Sequence, residues 1–224
     1  MASRMSCRQS SSNPAMSTRT PDLLDMMSQL IATPSISCMR DELDMSNEPV
    51  IDLLANWLDH AGFTTHKQFV AEGKFNLIAT LGQGSDGLIL SGHTDTVPCD
   101  ESLWSADPFK LVERDNRMYG LGSCDMKSFI AMAIQASQHF KVEQFKRPLT
   151  IIATADEETT MSGIRMLAEN GKPLGRYCVI GEPTSLSPVR EHKGILMESI
   201  KSIGSSGHSS DPSLGNYALE GMQE

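Results

Sequence analysis

The sequence has no apolar stretch approaching the ~20 residues that a membrane-spanning helix requires, so no such helix is expected. It also has no cluster of Lys and Arg, and its formal net charge is −9. That charge excludes the electrostatic footprint of a nucleic-acid-binding protein. Cys7, Cys38, Cys99, Cys124 and Cys178 are odd in number, widely spaced and free of any Cys-x-x-Cys pair. This argues against a disulfide framework and points to a reducing compartment, the cytoplasm. Residues 1–20 contain no acid and no apolar run, although they hold three Arg and many Ser. No secretory signal is expected there. The composition resembles an organelle transit peptide, but a disordered tail, or a true start at Met16, fits the usual behaviour of such termini better. There is no internal repeat. Methionine is abundant, with 14 residues, and reads as core filler. A chain of 224 residues accommodates one core of moderate size and a second small piece.

Taken in order, Thr20-Pro21 predicts a helix start, followed by an apolar face of Leu23, Leu24, Met26, Met27, Leu30 and Ile31 that Pro34 ends. A second helix opens at Asn47-Glu48-Pro49, carries Val50, Ile51, Leu54, Trp57, Leu58 and Ala61 at helical spacing, and stops at Gly62. Residues 63–70, 76–81 and 87–90 predict strands. Residues 97–109 predict a loop, and Asp115-Asn116 a hairpin turn. Asp125 is expected to open a helix with Phe129, Ile130, Ala133 and Ile134 on its buried stripe. Residues 149–153 and 178–180 predict buried strands, and Glu158 leads into a helix containing Ile164, Met166, Leu167 and Ala168. Alternating strands and helices imply an α/β sandwich. After Ser187 the character changes: residues 195–203 alternate as a half-exposed strand, 204–207 form a turn, and a helix begins near Asn216.

Chemistry-bearing residues gather where these elements end. The apolar run before Ser91-Gly92 delivers His93 and Asp95. The run 148–155 delivers Asp156, Glu157 and Glu158, and the run 177–181 delivers Glu182. Chemistry in open α/β sheets collects at such carboxyl ends. Each residue has an ordinary structural reading when taken alone: a core histidine, an N-cap for Asp125, a solvated helix start for Glu157-Glu158. Together they form a ligand set for a pair of divalent metals. His93 suits zinc through neutral imidazole, with Asp95 placed to hold its other ring nitrogen. Asp125 could bridge two dications. Of Glu157 and Glu158, one could bind metal and the other remain free as a base. Cys124 is a conceivable thiolate ligand, but a small buried residue is the better reading.

Four ordered motifs resemble those of the M20 family of zinc aminoacyl hydrolases: Ser91-Gly-His-Thr-Asp-Thr-Val-Pro98, Gly120-Leu-Gly-Ser-Cys-Asp-Met-Lys127, Ala153-Thr-Ala-Asp-Glu-Glu158 and Gly181-Glu-Pro-Thr184. Four others resemble in particular the branch that deacetylates N2-acetyl-L-ornithine: Ile31-Ala-Thr-Pro-Ser-Ile-Ser37, Gly181-Glu-Pro-Thr-Ser-Leu186, His192-Lys-Gly194 and Ser206-Gly-His-Ser-Ser-Asp-Pro212. The resemblance runs from about Leu23 to the end. It implies a zinc-exopeptidase-like α/β catalytic sandwich over 21–187, incomplete, after a disordered tail over 1–20. Residues 188–224 would begin an α+β lid or dimerisation domain, also incomplete.

The resemblance also implies roles. His93 and Glu182 would bind a first zinc, Asp125 would bridge, and Glu158 would bind the second. Asp95 would orient His93, Glu157 would be the general base and then acid, and His208 would reach a partner subunit's site to steady the oxyanion. The implied cofactor is two zinc ions per complete site, and the ligand types suit cobalt as well. The implied reaction is hydrolysis of N2-acetyl-L-ornithine to L-ornithine and acetate, in arginine biosynthesis, by a homodimer. Family members run well beyond this length, so a C-terminal truncation is expected. The absent part would carry a late histidine, the last ligand of the second zinc. None of His60, His66 and His139 lies in a motif that replaces it. Two alternatives stand beside this reading: another N-acyl amino-acid hydrolase, such as one acting on succinyl-diaminopimelate, and an inactive truncated product.

Overall fold

The computed structural model describes residues 20–169, 171, 173–191, 193–194, 200–208, 210–211, 215–216 and 218. Helix α1 spans Leu23–Ile31 and buries Met26, Met27, Leu30 and Ile31. Its N-cap is not Thr20, as predicted, but Asp22, whose carboxylate accepts the Asp25 N–H at 2.9 Å. An ionised cap makes a stronger bond than a hydroxyl, and the Thr20 hydroxyl donates instead to the Trp57 carbonyl at 3.3 Å. Helix α2 (Glu48–His60) buries Val50, Ile51, Leu54, Trp57 and Leu58, and Gly62 follows it at φ +85°. Asn47 does not cap α2 with its side chain; its amide makes two hydrogen bonds to the Phe75 backbone, at 2.8 and 2.9 Å.

Strands β1 (Thr64–Ala71) and β2 (Lys74–Leu81) form an antiparallel hairpin. Strand β3 covers Leu88–His93. The short pair β4 (Val112–Arg114) and β5 (Arg117–Tyr119) turns through Asp115 and Asn116, both at positive φ, as a type I′ hairpin requires. Helix α3 (Lys127–Ser137), strand β6 (Leu149–Thr154), helix α4 (Ser162–Glu169) and strand β7 (Tyr177–Ile180) complete the unit. The main sheet has the order β1-β2-β6-β3-β7. The first two pairings are antiparallel and the last two parallel.

The core lies between one sheet face and helices α1, α2 and α3, where Leu30, Leu54, Leu58, Leu77, Ile130, Ile134 and Ile151 are almost wholly buried. Each contributes roughly 1.5–3 kcal/mol by leaving water. Asn76 alternates with Leu77 on β2 and points to the other face, where its amide donates to the Gly163 carbonyl of α4 at 2.9 Å. The α/β sandwich of the sequence reading is therefore present.

Three predicted details differ. The second and third motif helices start later than expected. Asp125 precedes α3, which begins at Lys127, and α4 begins at Ser162 and not at Glu158. Asp156 and Met161 hold positive φ, so residues 157–160 form a turn instead of a first helical turn. The apolar residues of α4 are only partly covered; its one buried residue is Gly163. Strand β7 was expected to be buried, but it is exposed along its whole length because it is the outermost strand.

The chain divides into two compact units at Ser185/Leu186. In the second, the Ser205 and Asn216 backbones exchange two hydrogen bonds of 3.0 Å in an isolated bridge. Residues 195–199 of the predicted strand, and 217 and 219–222 of the predicted helix, lie outside the described residues, as does the tail 1–19. Residues 200–203 have no regular structure.

Candidate metal centre

Parallel register assembles the site. His93 ends β3 opposite Thr154 of β6, and Ser91 lies opposite Ile180 of β7. The residues that follow β6 and β7, among them Asp156, Glu157, Glu158 and Glu182, therefore emerge at the same rim as His93. Asp125 reaches that rim because α3 packs closely on the strand ends. A Cβ on Gly181 would run into the Phe129 ring of α3, so only glycine permits this approach. Gly122, at φ +80°, makes the turn that leads into Asp125.

The group is tight. His93 Nε2 is 3.0 Å from Asp125 Oδ1, 3.9 Å from Glu157 Oε2 and 4.0 Å from Glu182 Oε1. Ligand atoms of His93, Asp125 and Glu158 all lie within 4.8 Å of one another. The other ring nitrogen, Nδ1, donates to the Asp95 carbonyl at 3.0 Å, while the Asp95 carboxylate stands off at 3.6 Å. With Nδ1 committed to a carbonyl, Nε2 is the nitrogen turned to the carboxylates, and it is the one that binds once a metal replaces the proton it shares with Asp125. The sequence assigned this orienting task to the Asp95 side chain; here its main chain has the shorter contact. The Asp95 carboxylate instead accepts the Glu157 and Glu158 N–H groups at 3.2 and 3.0 Å, which fixes the turn carrying both acids.

The electrostatics call for a cation. Burial, then Asp125, Glu157 and Asp95, push the Glu158 carboxyl up to about 7 against the pull of His93. Burial also raises Glu182, with Asp125 and Glu157 adding to it. Burial works against a charge on His93, but the surrounding acids outweigh it and raise its pKa. Carboxylates that repel one another around an imidazole nitrogen, and hold protons in place of a metal, make a donor set for a divalent ion.

Residues 89–214 match the sequence profile of peptidase family M20/M25/M40. The chain belongs to this family. Membership implies a divalent metal, and the rim just described offers a candidate group of donors in His93, Asp125 and Glu158. The chain is 52% identical over 211 residues to the acetylornithine deacetylase of Photorhabdus laumondii, covering 93% of this chain and 55% of that relative. It is 52% identical to the acetylornithine deacetylase of Proteus mirabilis, covering 93% of this chain and 54% of that one. It thus spans about half the length of the curated relatives it matches. Among solved structures, the M20 family metallo-carboxypeptidase Sso-CP2 from Sulfolobus solfataricus aligns at TM-score 0.62 and 17% identity, over 72% of this chain and 37% of that one. Human carnosine dipeptidase 1 aligns at TM-score 0.59 and 21% identity, over 70% and 37%. These two likenesses establish the M20 catalytic sandwich as the fold.

Other candidates lie elsewhere. Cys124, expected to be a small buried residue, is instead exposed on the turn before α3, and it joins no group of metal ligands among the described residues. His208 belongs to the second unit, where its Nδ1 accepts from Ser210 Oγ at 2.6 Å and from Ser210 N–H at 3.3 Å. A cleft of ≈ 1040 Å³ lined by Asp22, His60 and Gln135 sits at the opposite end of the sheet, near Leu81, and takes no part in the rim. Sequence reasoning placed Asp156 at the strand end but missed its ion pair, and it missed Lys127 and Lys74 as buried residues. Lys127 is buried and donates to the Leu30 and Thr33 carbonyls at 3.1 and 2.8 Å, with its pKa pushed down to about 8 by burial. Lys74 and Asp156 form a buried ion pair of 2.9 Å. A lysine after a glycine turn and an acid beside two others carry no local signal of burial.

Proposed function

We propose that this chain is the catalytic part of a metal-dependent amide hydrolase that converts N2-acetyl-L-ornithine to L-ornithine and acetate. The convergence of His93, Asp125 and Glu158 within 4.8 Å on a rim flanked by Glu157 is the observation that carries the reaction type. The substrate rests on the likeness to the two acetylornithine deacetylases. In this reading zinc, with cobalt also suited, is the metal. His93, Asp125, Glu158 and Glu182 would hold it, His93 and Glu182 serving a first ion, Glu158 a second, and Asp125 both. When bound, the ions supply a Lewis acid for the scissile carbonyl and make water a nucleophile near neutral pH.

The chain's own residues do the rest. Glu157 takes the proton from the attacking water and returns it to the leaving amine. Asp95 keeps Glu157 in place through its N–H and holds His93 through its carbonyl. His208 accepts hydrogen bonds at Nδ1, so its Nε2 carries the proton and can donate to an oxyanion, in a partner's site within a homodimer. Residues 21–187 form the catalytic domain and 188–224 begin a lid or dimerisation domain. The setting is cytoplasmic.

The test is release of L-ornithine from N2-acetyl-L-ornithine by the zinc-loaded chain, beside succinyl-diaminopimelate as competitor substrate. Glu157→Gln should lower turnover by roughly 10²–10⁴ while metal stays bound. A desuccinylase rate far above the deacetylase rate, or activity that survives the substitution, overturns this reading.

A second reading has one supporting observation: no histidine other than His93 joins the group of ligands among the described residues. The chain would then hold a half-site with one metal and no turnover. Metal content after equilibration with zinc separates the two, at about two ions per chain or about one.

A further inference from the structure

Lys74 opens β2, directly after the hairpin glycine Gly73, where lysines are normally solvated. Here it is 6% exposed. Its three donors are all used: Asp44 Oδ1 at 2.8 Å, the Met45 carbonyl at 2.9 Å and Asp156 Oδ1 at 2.9 Å. Asp156 is 9% exposed and is held from three further sides. Its Oδ1 accepts from Ser37 Oγ at 3.1 Å, its Oδ2 from Ser162 Oγ at 3.1 Å, and its carbonyl from the Met161 N–H at 2.7 Å. Its backbone stands at φ +57°, in the left-handed region that aspartate enters more readily than most residues but less freely than glycine.

Glu157 and Glu158 follow immediately. Their N–H groups are bound to Asp95 on the side facing His93. The turn is therefore clamped from two directions, by Lys74 behind Asp156 and by Asp95 in front of the two glutamates. A buried ion pair is weak support for stability, because apolar residues of similar volume usually serve as well. A fully satisfied pair next to two functional acids is better explained by registry.

We infer that Lys74, acting through Asp156, is a positioning residue that sets where the Glu157 and Glu158 carboxyl groups stand on the metal rim. This rests on the metal-centre reading above. It concerns residues that touch neither substrate nor metal.

The test uses the full 224-residue chain, with Co²⁺ as a visible probe. Co²⁺ affinity and the Co²⁺ absorption spectrum are measured for the unsubstituted chain, Lys74→Met, Asp156→Asn and the double variant, and each is also unfolded thermally without metal. Each single substitution should weaken Co²⁺ binding by roughly 10–100-fold, the usual loss when an outer partner of a ligand is removed, and should alter the absorption band. The double variant should be no worse than the poorer single one, since the pair acts as a unit. Ser37→Ala, which removes one bond to Asp156 and leaves the ion pair, should show a smaller effect and keeps the test open if a charge variant does not fold.

Variants that unfold at lower temperature but bind Co²⁺ with unchanged affinity and spectrum overturn the inference and leave the metal centre standing. An unsubstituted chain that binds no Co²⁺ overturns both.

Discussion

At His93 the two ring nitrogens have different tasks: Nδ1 is committed to a main-chain carbonyl, and Nε2 faces acids. The crowding of those acids has a consequence for the metal-free chain. Glu158 carries a folded-state pKa of about 7, raised from 4.5 by burial and by its charged neighbours. A carboxyl with a raised folded pKa binds more protons folded than unfolded, so its contribution to stability falls as pH rises between the two values. The metal-free chain should therefore lose stability between about pH 4.5 and pH 7 on account of this group. Added zinc should stabilise more at pH 7.5 than at pH 5, and urea unfolding at the two values, with and without zinc, checks both signs. Lys74 runs the other way. Burial opposes its charge, but Asp44 and Asp156 outweigh that and raise its pKa, so its contribution is intact below about pH 10.5 and fades only as pH climbs through the folded value.

Helix α3 and strand β7 decide where two of the acids stand. Gly181 lies against Phe129, with no room for a Cβ, and it separates β7 from Glu182. Gly181→Ala should push α3 and β7 apart, cost about 1–3 kcal/mol as overpacking does, and weaken metal binding through Asp125 and Glu182. Denaturant unfolding and a zinc competition titration measure the two effects; full retention of metal affinity would show that α3 does not set the ligand spacing. At the other end of the molecule, Asp22 holds the first turn of α1. Asp22→Ala should cost about 1 kcal/mol in thermal unfolding and leave metal binding unchanged, since α1 begins far from the rim in the chain and contributes no ligand. The exposure of β7 is a fact of position: among the described residues it pairs with β3 alone, and its apolar residues Val179 and Ile180 remain open.

For the whole molecule, a site built from four separate segments should couple metal to folding. The ligands of the proposed centre come from the ends of β3 and β7, the turn after β6 and the turn before α3, which are distant along the chain and cannot hold an ion together once unfolded. Metal at 100 times its dissociation constant should add about 2.7 kcal/mol, and a chelator should remove it. Thermal unfolding with zinc and with a chelator checks this, and an unchanged midpoint would argue that the rim binds no ion tightly.

The strand and helix alternation, the apolar faces of α1 and α2, the hairpin at Asp115-Asn116 and the identity of the rim acids were legible in the sequence. Periodicity, turn chemistry and strand-end position are local properties. The four motifs identified the family for the same reason: they are short, ordered and read without contacts. Three things were decided by tertiary structure. Asp22 displaced Thr20 as a cap because Thr20 found Trp57, 37 residues away. The turn at 157–160 replaced a helical start because Asp95 takes two of its N–H groups, and Asp156 is gripped by Lys74 and Ser37. The burial of Lys74 and Lys127, and the exposure of β7, follow from which segments pack beside them. A sequence names its charged residues, but the free energy of each charge depends on the partners and the solvent that the fold places around it.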